Sequence, residues 1–226
     1  MLSGTQLTAL LGIEHPILHG ACAGHGPGVE LAARVSVRGG LGAFGLQNLD
    51  GDQIRHTVRE IRARTSRPFA ATLWVPRDEE ADAARAGPDR VEQLDAVLAA
   101  RPPVFSFVFG QPSERVLALC RERGIITIGS ADSVAGAMAL ERAGVDCVVA
   151  SGHRVDDGSE HAMRAPMERP MNTFALLCEL VACVRVPVVA AGGIEDLRGV
   201  TAALALGAQG VQLDAPRPLA QLMGGM

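Results

Sequence analysis

Apolar runs rich in β-branched and aromatic residues recur along the chain, each followed by a polar turn and then by an amphipathic stretch. Eight such runs occur: PILHGA (16–21), LGAFGLQ (41–47), FAATLWV (69–75), VFSFVFG (104–110), IITIGS (125–130), CVVASG (147–152), VPVVAAGG (186–193) and GVQLD (210–214). They are apolar at nearly every position, as expected of parallel strands covered on both faces. Between them lie segments of helical period such as GDQIRHTVREIRART, PDRVEQLDAVLAAR, SERVLALCRERG, SVAGAMALERAG, TFALLCELVACV and DLRGVTAALALG. Several open on an Asp or Ser cap and close on Gly. Eight successive βα units predict an α/β fold, a (β/α)8 TIM barrel forming a single domain over residues 1–226. An open doubly wound sheet fits less well, because no G-x-G-x-x-G follows the first strand.

In such a barrel the chemistry sits on the loops after the strands. Two of these loops are long: PRDEEADAARAG (76–87) and HRVDDGSEHAMRAPMERPMN (153–172). The second continues the stretch ASGHRVDDGSEHAM (150–163), which holds two of the six histidines. A long loop in a compact domain is characteristically functional or disordered.

Composition narrows the classes. The chain has 226 residues, 48% of them hydrophobic, with a net charge of −4, enough for one large core. Its arginines are dispersed among acidic residues, as in REIRAR, so no nucleic-acid partner is expected. The sequence has no run of eighteen apolar residues and no secretory signal at its start, which leads to the expectation of a cytoplasmic protein without membrane contact. Five cysteines (Cys22, Cys120, Cys147, Cys178, Cys183) are odd in number and form no C-x-x-C pair. They read as reduced thiols, mostly core filler.

The candidate chemistry follows from residue type and place. His153 and His161 can act as general acid or base, since a loop imidazole titrates near neutral pH. Asp156, Asp157 and Glu160 can orient such a histidine. The spacing of these nitrogen and oxygen donors matches no zinc motif, so no metal is expected. Gly192 and Gly193 let the backbone approach an anion after the seventh strand. Asp214, a carboxylate at the top of the last strand, can serve as a base or orient a substrate. His19 and Cys22 end the first strand, and alternation leaves open which way His19 points.

The segment LTALLGIEHPILHGACAGHGPGVELAARVSVRGGLGAFG, together with RPFAATLWVP, PPVFSFVFGQP, GIITIGSADSVAGAMALERAGVDCVVASG and VPVVAAGGIEDLRGVTAALALGAQGVQ, resembles the nitronate monooxygenase (2-nitropropane dioxygenase) family. Flavin-dependent enoyl-ACP reductases share that family's fold. The resemblance runs in order over nearly the whole chain. It implies FMN in the barrel mouth and either oxidation of alkyl nitronates or reduction of enoyl thioesters, on a small-molecule substrate. Position by position, it places Ala21, Cys22, Thr72, Ser151, Gly152, Gly192 and Gly193 at the cofactor.

Some family positions differ. The catalytic His of G-x-E-A-G-G-H falls on Gly158 without a gap, and on His161 if three residues are inserted. The Gly-Thr pair that completes the phosphate site reads Asp214-Ala215-Pro216-Arg217 here. Like charges about 5 Å apart repel by roughly 3 kcal/mol at an effective dielectric near 20, so FMN would need a counter-charge such as Arg217 or Arg198. The helices that follow the eighth strand in the family are represented by RPLAQLMGG, so either a homodimer contact or a partner chain covers the mouth or the reaction needs no cover. Two alternatives stay open: a flavin-free isomerase, lyase or cyclase using the loop His and Asp residues, and a non-catalytic partner subunit.

Overall fold

All strand pairings are parallel, and the sheet order β1-β9-β8-β7-β6-β5-β4-β3-β2 returns to where it began. The computed structural model describes residues 4–23, 27–75, 87–152 and 172–213, without the side chains of Cys22, Ala23 and Pro27. Helix α1 (Gln6–Leu11) precedes β1 (Ile17–His19) and β2 (Cys22–Ala23). Then follow α2 (Pro27–Val37), β3 (Gly42–Gly45), α3 (Gly51–Arg64), β4 (Phe69–Val75), α4 (Arg90–Ala100), β5 (Val104–Phe109) and α5 (Glu114–Glu122). The series ends with β6 (Ile126–Ala131), α6 (Val134–Arg142), β7 (Cys147–Ser151), α7 (Thr173–Cys183), β8 (Val188–Ala191), α8 (Leu197–Ala205) and β9 (Gly210–Leu213).

β1 and β2 are two halves of one barrel strand. β1 pairs with β9 and bridges to Leu41 through Leu18, whereas β2 pairs with β3. The first apolar run, read as one strand over 16–21, is thus interrupted at Gly20 and Ala21. The barrel closes across that break, because the His19 N–H donates to the Leu41 carbonyl at 2.9 Å and the Gly20 N–H to that of Leu213 at 2.9 Å. The other seven runs are strands at the expected places, and the molecule is the eight-stranded parallel (β/α)8 barrel that the pattern predicts.

Alternation divides each strand between two apolar layers. On β4, Phe69, Ala71, Leu73 and Val75 pack outward against the helices, while Ala70 faces the lumen. On β7, Val148 and Ala150 pack outward and Cys147 and Val149 inward. The outer layer carries the largest buried side chains, including Phe44, Phe105 and Phe107. Each contributes about 2–3 kcal/mol relative to an exposed ring. The lumen layer is completed from below by Leu7 and Leu11 of α1, which close the N-terminal end of the barrel.

The helices begin where short polar side chains can satisfy free backbone N–H groups. Asp50 and Gln53 form a reciprocal capping box on α3, and Asp89, Ser113, Ser133, Asn172 and Asp196 cap α4 to α8. These caps fix the entry of each helix next to the C-terminal end of the preceding strand, the end at which the site is built.

Candidate active site

Toward the C-terminal ends of the strands the lumen changes character. Below, it is lined by Leu18, Ala43, Ala70, Val104, Ile128, Cys147, Val149 and Val189. One step above, the alternation brings Thr72, Ser106, Ser130, Ser151 and Gln212 to the same face. Thr72 and Ser106 are buried and register partners on adjacent strands, and Ser130, Ser151 and Gln212 are half-buried. Gly45 and Ala191 complete this layer. Apart from Gln212 its side chains are small, and its hydroxyls offer donors and acceptors to a polar ligand.

The diglycine after β8 is built for close approach. Gly192 and Gly193 have φ of 98° and 70°, a backbone region that side chains disfavour. Among the described residues, a Cβ on Gly193 would have no atom within 4 Å. The N-terminus of α7 stands next to this turn. The Thr173 hydroxyl donates to the carbonyls of Gly192 at 3.0 Å and Ala191 at 3.2 Å. On its other side, Gly152 lies so close that an added Cβ would come within 2.5 Å of the Thr173 Cα and N. Gly152, Thr173 and Gly192 thus lock the ends of β7, α7 and β8 together.

A further polar clamp stands behind the loop after β3. The fully buried Gln93 of α4 donates its amide to the carbonyls of Leu49 at 2.6 Å and of Leu46 and Gln47 at 3.3 Å each. Its own carbonyl accepts from Arg90 at 2.7 Å.

The electrostatics beside the diglycine are local. Asp196 caps α8, and the Gly199 N–H together with Arg198 holds its carboxyl below the ordinary carboxylate value. Arg198 places Nε and Nη2 at 2.8 and 2.7 Å from the same oxygen of Asp196. That guanidinium, considered above as a counter-charge for Asp214, is engaged by Asp196.

Of the residues singled out from the sequence, Thr72, Ser151, Gly152, Gly192 and Gly193 gather at the C-terminal end. Ala21 is exposed at the break between β1 and β2, and the backbone of Cys22 lies in β2. His19 shares the face of Ile17, in the layer packed toward the helices, so it is buried away from the lumen. His153, His161 and Asp214 lie outside the described residues, as do Asp156, Asp157 and Glu160. Sequence reasoning passed over Ser106, Ser130, Thr173 and Gln93. The signal for Ser106 was present, since it alternates with Phe105 and Phe107 in VFSFVFG.

Fold and site define a (β/α)8 barrel of the enzyme type, with its polar lumen positions collected at the end where such barrels carry chemistry. The chain matches the family model for nitronate monooxygenase over residues 4–216. It is 33% identical to a probable nitronate monooxygenase of Staphylococcus aureus, over 94% of this chain and 67% of that protein. Among solved structures, FabK from Thermotoga maritima superposes with a TM-score of 0.75 at 32% identity, covering 96% of this chain and 62% of that one. A nitroalkane oxidase from Streptomyces ansochromogenes gives 0.76 at 29% identity, covering 92% and 66%. The chain belongs to the nitronate monooxygenase family, a family of oxidoreductases, and spans about two thirds of the length of these relatives.

Proposed function

We propose that this chain is an FMN-dependent oxidoreductase acting on a small nitronate- or enoyl-type substrate at the C-terminal mouth of the barrel. The observation that carries the reading is the Gly192–Gly193 turn, with no atom of the described residues crowding Gly193 and the N-terminus of α7 next to it. Backbone N–H groups in such a turn suit a phosphate. The layer of small residues above the apolar lumen fits a flat ring, with Thr72, Ser151 and Gly152 beneath it and Ala21 and Cys22 at its edge. Bound FMN supplies two-electron exchange with the substrate carbon.

The remaining roles belong to the chain itself. His161 or His153, on the loop after β7, takes or delivers the substrate proton, and Asp214 orients the polar head of the substrate. The hydroxyls of Ser106 and Ser130 hydrogen-bond that head where the ring leaves this layer uncovered. A second copy or a partner chain excludes water from the mouth, which light scattering of the purified protein checks. The deciding experiment is the visible absorption of the protein before and after addition of FMN. The two oxidised-flavin bands and a raised melting temperature are expected, and a colourless protein with no FMN-induced shift overturns the reading.

A flavin-free isomerase, lyase or cyclase is the second reading, favoured by one observation. Arg198 is paired with Asp196 at 2.7 Å, so a carboxylate beside a phosphate would compete with Asp196 for that guanidinium.

A further inference from the structure

Two aromatic rings meet at the C-terminal ends of β4 and β5. Trp74 shares the lumen face of Ala70 and Thr72 by alternation. Its ring meets that of Phe109 edge-to-face, with centroids 5.4 Å apart and planes at 88°. Both residues are half-buried, whereas Phe44, Phe69, Phe105 and Phe107 are fully enclosed in the outer layer.

Phe109 is held in an unusual way. Its φ is 76°, and the Gly110 N–H donates to the Val108 carbonyl at 3.1 Å and to the Val75 carbonyl at 2.6 Å. The first of these is the i→i+2 bond of a γ-turn centred on Phe109, and a φ near +75° marks its rare, strained form. Glycine would occupy this position without strain. The phenylalanine instead keeps a strained backbone and gains a ring seated on Trp74. Strain of this kind collects where a ligand is held. Most of the upper lumen layer is small or polar, so this pair is its aromatic surface among the described residues.

We propose that the Trp74–Phe109 pair is the subsite for an apolar tail of the substrate. The site then selects a planar anionic head carrying an unbranched alkyl chain over the same head alone. The inference rests on the functional reading above for the head group. The hydroxyls hold the polar end, and the rings shield the chain from water. A methylene buried on one side against them tightens binding by about two- to fourfold.

Straight-chain carboxylates from acetate to octanoate are unreactive planar anions and serve as the probe. Their binding is read from the fluorescence of Trp74, the single tryptophan of the chain, on the protein as purified and after addition of FMN. The dissociation constant is expected to fall about two- to fourfold for each added methylene. In Phe109→Gly, which suits the turn and removes the ring, that slope flattens. Trp74→Leu, followed by calorimetry because it lacks the fluorophore, flattens it as well. A dissociation constant independent of chain length, no binding at any length, or an unchanged slope in folded Phe109→Gly overturns the proposal. Flavin absorbance is read in the same samples. Its absence removes the flavin reading, while the slope still decides the role of the aromatic pair.

Discussion

The hydroxyl of Thr173 donates to the carbonyl oxygen of Gly192 at 3.0 Å, joining the first turn of α7 to the diglycine after β8. Replacing it with the isosteric Thr173→Val removes the donor and leaves two carbonyls with one partner fewer. The expected loss is about 1–2 kcal/mol in denaturant unfolding, with weaker FMN binding. Thr173→Ser retains the hydroxyl and is expected to keep most of both.

Two glycines of the site separate stability from binding. Gly152→Ala drives a methyl against the backbone of Thr173 and is expected to cost about 1–3 kcal/mol or more in unfolding. Gly193→Ala meets no atom of the described residues within 4 Å, so its expected cost is that of the left-handed backbone, about 1–2 kcal/mol. Its methyl occupies the space proposed for the phosphate, and FMN titration should show at least a tenfold loss with the fold intact by circular dichroism.

Gln93→Leu tests the clamp behind the loop after β3. Three backbone carbonyls lose their shared donor, and Arg90 loses an acceptor. Buried groups left unsatisfied cost about 1–3 kcal/mol each. A fall of at least about 2 kcal/mol in urea unfolding is expected, together with faster amide exchange at Leu49 and its neighbours.

Asp196 gives a pH dependence with a definite sign. The Gly199 N–H, and then Arg198, depress its pKa in the folded chain below the ordinary 3.8. Its contribution to stability is therefore complete above that value and is lost as the pH falls through the lower, folded-state pKa. Wild type is expected to melt higher than Asp196→Ala at pH 7. The difference should shrink below about pH 4, as thermal melts across the acid range would show.

The four cysteines with described side chains fall into two classes. Burial raises the thiol pKa of Cys120 to about 11 and raises that of Cys147 further, whereas Cys178 and Cys183 are exposed on α7. The thiolate is the reactive form. Brief alkylation of the native protein at pH 8, mapped by mass spectrometry, should label Cys178 and Cys183. Cys120 and Cys147 should react only after unfolding.

The order of βα units was legible in the sequence because hydrophobic runs and helix caps are local signals. The runs at 69–75 and 104–110 correspond to β4 and β5, and Asp50, Ser133 and Asp196 mark helix starts where they stand. Gly192 and Gly193 were legible too, since paired glycines after a strand announce a backbone no side chain favours. The faces of the strands were not. Both sides of a barrel strand are apolar, so the pattern carries no mark of inside and outside, and only closure of the sheet sent His19 toward the helices and Ser106 into the lumen. The break between β1 and β2 also arises only as the first strand meets β9 on one side and β3 on the other. Contacts such as Gln93 with Leu49, or Trp74 with Phe109, join residues that the chain keeps far apart and the barrel brings side by side. Local chemistry therefore fixed which elements form, and tertiary packing decided which side chains share the mouth.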